Sequence, residues 1–515
     1  MKKRVIALIP ARSGSVRVKN KNLQFINGIP LVGIAVIQAR LTKTIEDVYV
    51  STDSSIYAQV AENFGATVPF LRPADISDSH ATDYQVFRHF LKWYETENGY
   101  LPEIVVQVRA TAPVREVETI ENCIQIMLKN EEFDSIRTVS SPHQTPYKMW
   151  RIDESGELFS LMNCQNNEYD FPTQALPAVY AQDGVIDIIR SKTVMEKHCM
   201  AGNRIAGYKA HHPTWDIDLQ SDIDKASMML DVEKLLKLCP LQSLGANLAI
   251  IQGRLSEAEQ LQAFPNNWEN EFCLARTAGY TAIELFRDRD YNPDNPLWLD
   301  NDCLDSVQEN AILNGVAIRS ICDDFVQNCS WINLTAKQYS ILEDLLIKAA
   351  KIGCKIVVYP LMQEGDINDD KSKDAFVFYI KKLANLAKKF NLKIALEWNQ
   401  DKNKTLEILT QINQENVVYC LDTGNIYSSG LRMEDFLNDT KMAQFIQHVH
   451  IKDRNNVGEN VVLGTGNVDF TYVLEKLCNI GFCGTLVCET NRGNNPFVTA
   501  KNNVLYLKEC WKNVR

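Results

Sequence analysis

The sequence predicts two α/β domains in tandem, the second a closed (β/α)8 barrel of TIM type. Three observations carry this. The chain has 515 residues, too many for one ordinary hydrophobic core. Two long stretches each alternate short apolar runs with segments of helix length, the pattern of parallel sheets. The second stretch holds eight such runs at regular spacing.

The first stretch covers residues 1 to about 235. Its strand candidates are VIALIP (5–10), VYVSTD (48–53), EIVVQVRA (103–110) and DSIRTV (134–139). A helix follows WDIDLQSD, and Pro240 stops it because proline offers no N–H to the helix ladder. The boundary falls at 238–245, which gives domains of residues 1–238 and 246–515. The eight strands of the second domain are ANLAIIQ (246–252), TAIELF (281–286), VAIRSIC (316–322), CKIVVYP (354–360), LKIALEW (392–398), NVVYCLD (416–422), IQHVHIK (446–452) and GTLVCE (484–489). Amphipathic segments such as DDKSKDAFVFYIKKLANLAKKF (369–390) separate them. An open doubly wound sheet is the alternative; eight regular units favour closure.

Composition sets limits on function. The residues are 45% hydrophobic and 23% charged, as in globular proteins, and the net charge is −11. An acidic balance disfavours a nucleic-acid partner. The 14 cysteines form no Cys-x-x-Cys pair and many sit in apolar runs, which predicts reduced, buried thiols and a cytoplasmic location. MKKRVIALIPAR has too short an apolar core for a leader and reads as a first strand. No run approaches the ~20 apolar residues that span a membrane.

The first strand leads into IPARSGSVRVKNKN (9–22). Small residues after a strand let backbone N–H groups approach a polyphosphate, and Arg and Lys neutralise its charge. The loop is neither a P-loop nor a dinucleotide-binding GxGxxG turn. Alone it reads as a phosphate loop or as a basic surface loop. The segment resembles the signature of the CMP-sialic acid synthetase (acylneuraminate cytidylyltransferase) family, IPARSGSKGLPxKN. The resemblance continues in order over about 230 residues through NGIPLVGIAVIQA, VSTDSSIYAQVAENFGATVPFLRPADIS, RATAPVRE, LPAVYAQDGVIDII and WDIDLQSD. It implies a Rossmann-like α/β/α nucleotidyltransferase domain that joins CTP to a sialic-acid-like (nonulosonic) sugar acid.

By that resemblance Arg12, Ser15, Lys21 and Asn22 hold the triphosphate and ribose. Arg72 and Thr82 lie near the base, Gln174 near the sugar, and Asp216 and Asp218 bind Mg²⁺. Two carboxylates alternating along a strand share one face, and hard oxygens suit Mg²⁺. The metal and Lys21 then stabilise charge on the α-phosphate and on departing pyrophosphate. Several positions depart from the family. Val16-Arg17 replaces Lys-Gly, and Arg109-Ala110-Thr111-Ala112-Pro113 replaces Gln-Pro-Thr-Ser-Pro. Thr173 replaces an Arg before Gln174, Asp183 an Asn, and Asp187 a Tyr. A lost Arg and two gained Asp argue against sialic acid itself, whose carboxylate needs a cation. The alternative is another NTP with a sugar phosphate. A sugar-nucleotide-binding regulator without turnover is a further class.

In the second domain Glu397, Asp422, His450 and Glu489 end or nearly end four successive predicted strands. A barrel brings such ends to one mouth, and the donor set suits Mn²⁺, Mg²⁺, Co²⁺ or Zn²⁺. His448 alternates with His450 and faces the same way, so only position in the motif favours His450. This stretch resembles the xylose-isomerase-like sugar phosphate isomerase/epimerase family over about residues 246–512, through IIQGRLS, LDTGN, HIKDR, LGTGNVDF and GFCGTLVCET. The resemblance implies that the four residues bind one divalent metal and that Glu397 and Glu489 move protons on a sugar or sugar phosphate. Lys452 and Arg454 bind a phosphate or carboxylate, or are solvated loop charges. Glu284 reads as a structural acceptor. Two histidines are too few for a three-metal endonuclease centre. A barrel kept as a binding module is the competing reading. A homo-oligomer is expected.

Overall fold

A computed structural model describes residues 4–514 except 163, 165, 211–214, 238–243 and 257–262. The first domain is a six-stranded sheet between helices. Its strands are β1 (Val5–Pro10), β2 (Asp47–Ser51), β3 (Ile104–Val108), β4 (Ser135–Ser140), β5 (Ala181–Arg190) and β6 (Ile205–Lys209). They stand in the order β6-β4-β5-β3-β1-β2. All neighbours are parallel except β5, which runs antiparallel to β3 and β4. The continuous apolar run of β1 is explained by burial on both faces. Val5, Ala7 and Ile9 enter one core, whereas Ile6 and Leu8 enter the other beside Phe87, Phe90 and Tyr94.

All four strands predicted here exist, and the sheet holds two more. β5 opens with the polar Ala-Gln-Asp-Gly, and the edge strand β6 is mostly exposed, so neither shows a full apolar run. The helix after WDIDLQSD is two helices, Gln220–Met229 and Val232–Leu236. Asp231 divides them, since its side chain accepts from Lys234 N and caps the second. Pro240, the expected stop, and residues 238–243 of the boundary lie outside the described residues.

The second domain is a closed barrel of eight parallel strands. They are β7 (Leu248–Ile251), β8 (Ala282–Arg287), β9 (Ala317–Asp323), β10 (Ile356–Pro360), β11 (Lys393–Glu397), β12 (Val417–Asp422), β13 (Ile446–Ile451) and β14 (Thr485–Cys488). β7 pairs with β14 and closes the ring. Each of the eight predicted runs overlaps one of these strands, with β8 and β9 each running one residue further, to Arg287 and Asp323. The interior is packed with side chains, including Glu284 and His448, both fully buried.

The two domains touch through the barrel floor, the N-terminal ends of its strands. Arg319 Nε donates to Gly28 O at 3.3 Å, and Asn247 Nδ2 donates to Leu236 O and Gly484 O at 2.9 Å each. At the side of the barrel, Asn63 Nδ2 donates to Arg276 O at 2.9 Å. Gly315 has φ +61°, and a Cβ there would stand 2.6 Å from Val60 Cγ2 of the first domain. Gly315→Ala is expected to cost about 2–4 kcal/mol, from left-handed strain plus overpacking. Gly99→Ala, with φ +76° and open space, should cost about 1 kcal/mol. Equal losses of stability in thermal unfolding would refute the contact.

Thirteen cysteines are described and all are free thiols. Among the described residues no helix is long and apolar enough to cross a membrane.

Candidate functional site

The loop after β1 is tied down by its neighbours. Ser13 donates N–H to Asp53 Oδ1 at 2.8 Å and Oγ–H to Asp53 Oδ2 at 2.7 Å. Asn22, 5% exposed, donates to Arg12 O at 3.0 Å and closes the loop on itself. The loop borders a cavity of about 470 Å³ with Arg12, Ser15, Lys21, Asn22, Arg72 and Asp218 on its wall. Lys21 Nζ donates to Ile217 O at 2.6 Å and lies 3.3 Å from Asp218 Oδ1, which Arg17 Nη1 also approaches at 3.3 Å. Arg72 is buried against Ser51, and burial lowers its pKa to about 10. The cavity thus gathers residues from sequence segments up to two hundred positions apart around cationic donors, which suits a polyphosphate.

Other expectations change. The WDID segment is extended but forms no strand: one bridge joins Trp215 to Val114, and Ile217 N donates to Thr111 O at 2.7 Å. The alternation survives, since Ile217 is buried and Asp216 and Asp218 are exposed. Asp218 lines the cavity and Asp216 does not. Exposed carboxylate oxygens beside a phosphate cavity fit Mg²⁺, which takes one or two carboxylates and keeps waters. Thr82 caps the helix Asp83–Asn98 in a reciprocal box with Gln85, while its neighbours Ala81 and Asp83 line the cavity. Gln174 sits in the exposed turn Thr173–Ala175, away from the cavity wall.

Two of the departures from the family pattern meet each other. Arg109 Nη2 lies 3.0 Å from Asp187 Oδ2 and 3.0 Å from Asp83 Oδ2, and Arg137 Nε lies 3.4 Å from Asp187 Oδ1. The gained Asp187 therefore brings no uncompensated negative charge to the site. Nothing in sequence spacing signals this pairing across β3 and β5. Arg109→Gln and Asp187→Asn should each destabilise the fold, and the double variant should lose less than their sum. The expected coupling is about 1–2 kcal/mol in a double-mutant cycle; additive losses would refute it.

The barrel mouth is a second centre. Glu397, Asp422, His450 and Glu489 are all buried there. His450 Nδ1 lies 2.9 Å from Glu489, 3.2 Å from Glu397 and 3.9 Å from Asp422. Its Nε2 lies 3.0 Å from Glu284, which also pairs with His448 Nε2 at 2.7 Å. Glu284 thus backs both imidazoles, and what distinguishes His450 from His448 is that its Nδ1 faces Glu397, Asp422 and Glu489. Burial raises the Glu284 pKa, but His450 and His448 outweigh it and hold it at about 2. Burial, with Lys452 opposing it, pushes the Asp422 carboxyl up to about 6.

Lys452 is not a solvated loop charge. It is 7% exposed, with Nζ 2.7 Å from Asp422 Oδ2 and 2.9 Å from Glu489 Oε1. Arg454 braces the loop instead, donating to Asn425 Oδ1 at 3.0 Å and Gly458 O at 3.1 Å. Sequence reasoning missed Arg254, whose Nη2 stands 3.5 Å from Glu489 Oε1. Glu271 holds Arg254's loop by accepting from Gly253 N, Leu255 N and Ser256 Oγ. Asp453 likewise binds Gly464 N, Gly466 N and Val468 N, which ties HIKDR to LGTGNVDF.

The donor set fits a divalent metal. Ligand atoms of Glu397, Asp422 and His450 lie within 4.8 Å of one another. Glu284, Glu397, Asp422 and Glu489 face two fixed cations, Lys452 and Arg254. Carboxylate oxygens outnumber the cations there, which suits a hard or borderline divalent ion.

Residues 6–267 match the family model for cytidylyltransferase, and residues 272–510 match that for xylose isomerase-like TIM barrel. The first half is similar to CMP-N,N'-diacetyllegionaminic acid synthase of Legionella pneumophila, 29% identical over 241 residues, 46% of this chain and 97% of that protein. It is 26% identical over 193 residues to the pseudaminic acid cytidylyltransferase and UDP-2,4-diacetamido-2,4,6-trideoxy-beta-L-altropyranose hydrolase of Helicobacter pylori, 38% of this chain and 36% of that protein. It is 25% identical over 221 residues to N-acylneuraminate cytidylyltransferase of Streptococcus agalactiae, 42% of this chain and 51% of that protein. The chain therefore spans about half or less of the two longer relatives.

Proposed function

We propose, because the chain belongs to the cytidylyltransferase family, that its first half transfers CMP from CTP to a nonulosonic acid. The sugar hydroxyl bonds to the α-phosphorus, the α–β phosphoanhydride bond breaks, the hydroxyl proton is lost, and pyrophosphate leaves. The observation that carries the reading is the single cavity shared by Arg12, Ser15, Lys21, Asn22, Arg72 and Asp218. Lys21, Arg12 and Arg72 supply positive charge for the triphosphate, and Mg²⁺ held by Asp218 and Asp216 would neutralise more of it. Pyrophosphate release should be fastest with CTP and nonulosonic acids in a screen of four NTPs against several sugars. Preference for GTP with a hexosamine phosphate would overturn the assignment.

For the barrel, we propose isomerisation or epimerisation of a sugar or sugar phosphate. A divalent metal on Glu397, Asp422, His450 and Glu489 would polarise a carbonyl. Glu397 and Glu489, both within 3.2 Å of His450 Nδ1, would accept and return a proton at the adjoining carbon. One observation favours a second reading, a non-catalytic sugar-binding barrel: Lys452 Nζ already bridges Asp422 and Glu489 where a metal would be held. On either reading residues 1–238 and 246–515 would work as two units, separable by proteolysis between them. The free thiols suit a reducing cytoplasm. A homo-oligomer accounts for the exposed Trp150, Ile152, Leu158 and Phe159 on one two-stranded arm.

A further inference from the structure

The barrel floor carries a row of three cations. Lys355 N donates to Arg319 O at 3.0 Å and Lys393 N to Lys355 O at 2.9 Å, so the three residues are neighbours on adjacent strands. Their side chains border a cavity of about 310 Å³ between the barrel floor and the first domain, where Asn27, Ser227 and Glu233 form part of the opposite wall. A second cavity of about 420 Å³ shares Asn27, Ser227 and Lys355 with it, so one cleft runs along the domain interface.

Among the described residues two of the three cations make no ion pair, although Glu233 also attracts Lys355 and Asp231 shares the cavity wall. Lys393 Nζ is paired with Glu233 Oε1 at 2.6 Å. Lys355 Nζ has no hydrogen-bond or ion-pair partner among the described residues. Arg319 is 5% exposed; its Nη1 donates to Ala246 O at 2.6 Å, and its Nη2 is buried without a partner. A buried guanidinium facing only carbonyls is costly, and natural interiors rarely leave such a donor unused. Burial depresses both groups, Arg319 to about 10. No annular mouth or strand C-terminus is involved, so this cleft is separate from both centres described above.

We propose that this interdomain cleft binds a phosphate-bearing small molecule, held by Arg319 and Lys355 and enclosed by the Asn27 turn and Ser227. Two unpaired positive charges match one phosphate dianion rather than one carboxylate. The cavity volume is at the lower end of small-ligand sites. The opposite wall is built from segments that continue directly from functional positions. Residues 24–28 follow Lys21 and Asn22, and the helix Gln220–Met229 follows Asp218. Asn27 Nδ2 donates to Ser227 O at 2.8 Å and joins the two segments. A bound phosphate therefore touches the barrel and the backbone that carries the nucleotide cavity at once.

The test uses the full chain with Lys21→Ala, which weakens phosphate binding in the nucleotide cavity. Inorganic phosphate is titrated at constant ionic strength while Tm is followed. A ligand that binds only the folded state raises Tm in proportion to its occupancy. The expected result is a saturable rise in Lys21→Ala. Its midpoint should move at least about tenfold when Lys355→Met is added, and the rise should vanish when Arg319→Met is added. Lys355→Met removes no hydrogen bond, so it keeps the interface intact if Arg319→Met does not. An unchanged midpoint in Lys21→Ala/Lys355→Met, or no saturable rise in Lys21→Ala, overturns the proposal.

Discussion

Asp218→Asn is expected to lower pyrophosphate release at least ~100-fold, the scale of losing one strong electrostatic contact to a transition state. The side chain is exposed, so its amide should leave the fold intact. Lys21 stays anchored through Ile217 O at 2.6 Å, so CTP affinity should change less than turnover. What the variant loses is the charge that faces Lys21 and Arg17 at 3.3 Å and would hold Mg²⁺. Asp216→Asn should be harmful but milder, because Asp216 does not line the cavity. Steady-state kinetics with CTP check this; wild-type turnover in Asp218→Asn would refute the metal assignment.

In the barrel, Glu489→Gln should abolish deuterium exchange beside the carbonyl of any sugar that the wild type labels in D₂O. An amide is neither a useful base nor a good metal ligand. His450→Ala should reduce bound metal in elemental analysis after reconstitution with Mn²⁺, Co²⁺ or Zn²⁺. Lys452→Met separates the two readings. It leaves Asp422 and Glu489 short of a buried cation, at a cost of about 3–5 kcal/mol. If the site takes a metal, added Mn²⁺ restores much of the lost Tm. If Lys452 is the permanent cation, wild type binds no metal and shows no exchange, and the binding-module reading stands.

The barrel was legible because its strands are fully buried apolar runs, such as Val417–Asp422, that need no partner to be recognised. The ends of those strands named Glu397, Asp422 and Glu489 for the same reason. What the order of residues hides is pairing across space. Lys452 follows His450 by two positions, which shows the face it shares but not that it ends between two carboxylates. The choice of His450 over His448 becomes physical only with the carboxylates of Glu397, Asp422 and Glu489 around its Nδ1, which come from three other strands or strand ends. Arg109 and Asp187 looked like two separate losses of fit, and they are one ion pair. The motif alone assigns Thr82 to the base, whereas Gln85 three residues on is a helix-start signature.

The docking of the barrel by its floor has a kinetic consequence. Residues at the N-terminal ends of the strands border the first domain, so the mouth that holds His450 opens on the far side of a filled barrel. Among the described residues the side chains that fill the barrel leave no tunnel along its axis between the two centres. A compound made at one must diffuse through bulk solvent to reach the other. Unlabelled intermediate added during a coupled reaction should therefore dilute an isotopic label to the full extent of mixing. On the proposed reading, the fusion equalises the copy number of the two centres rather than handing material between them.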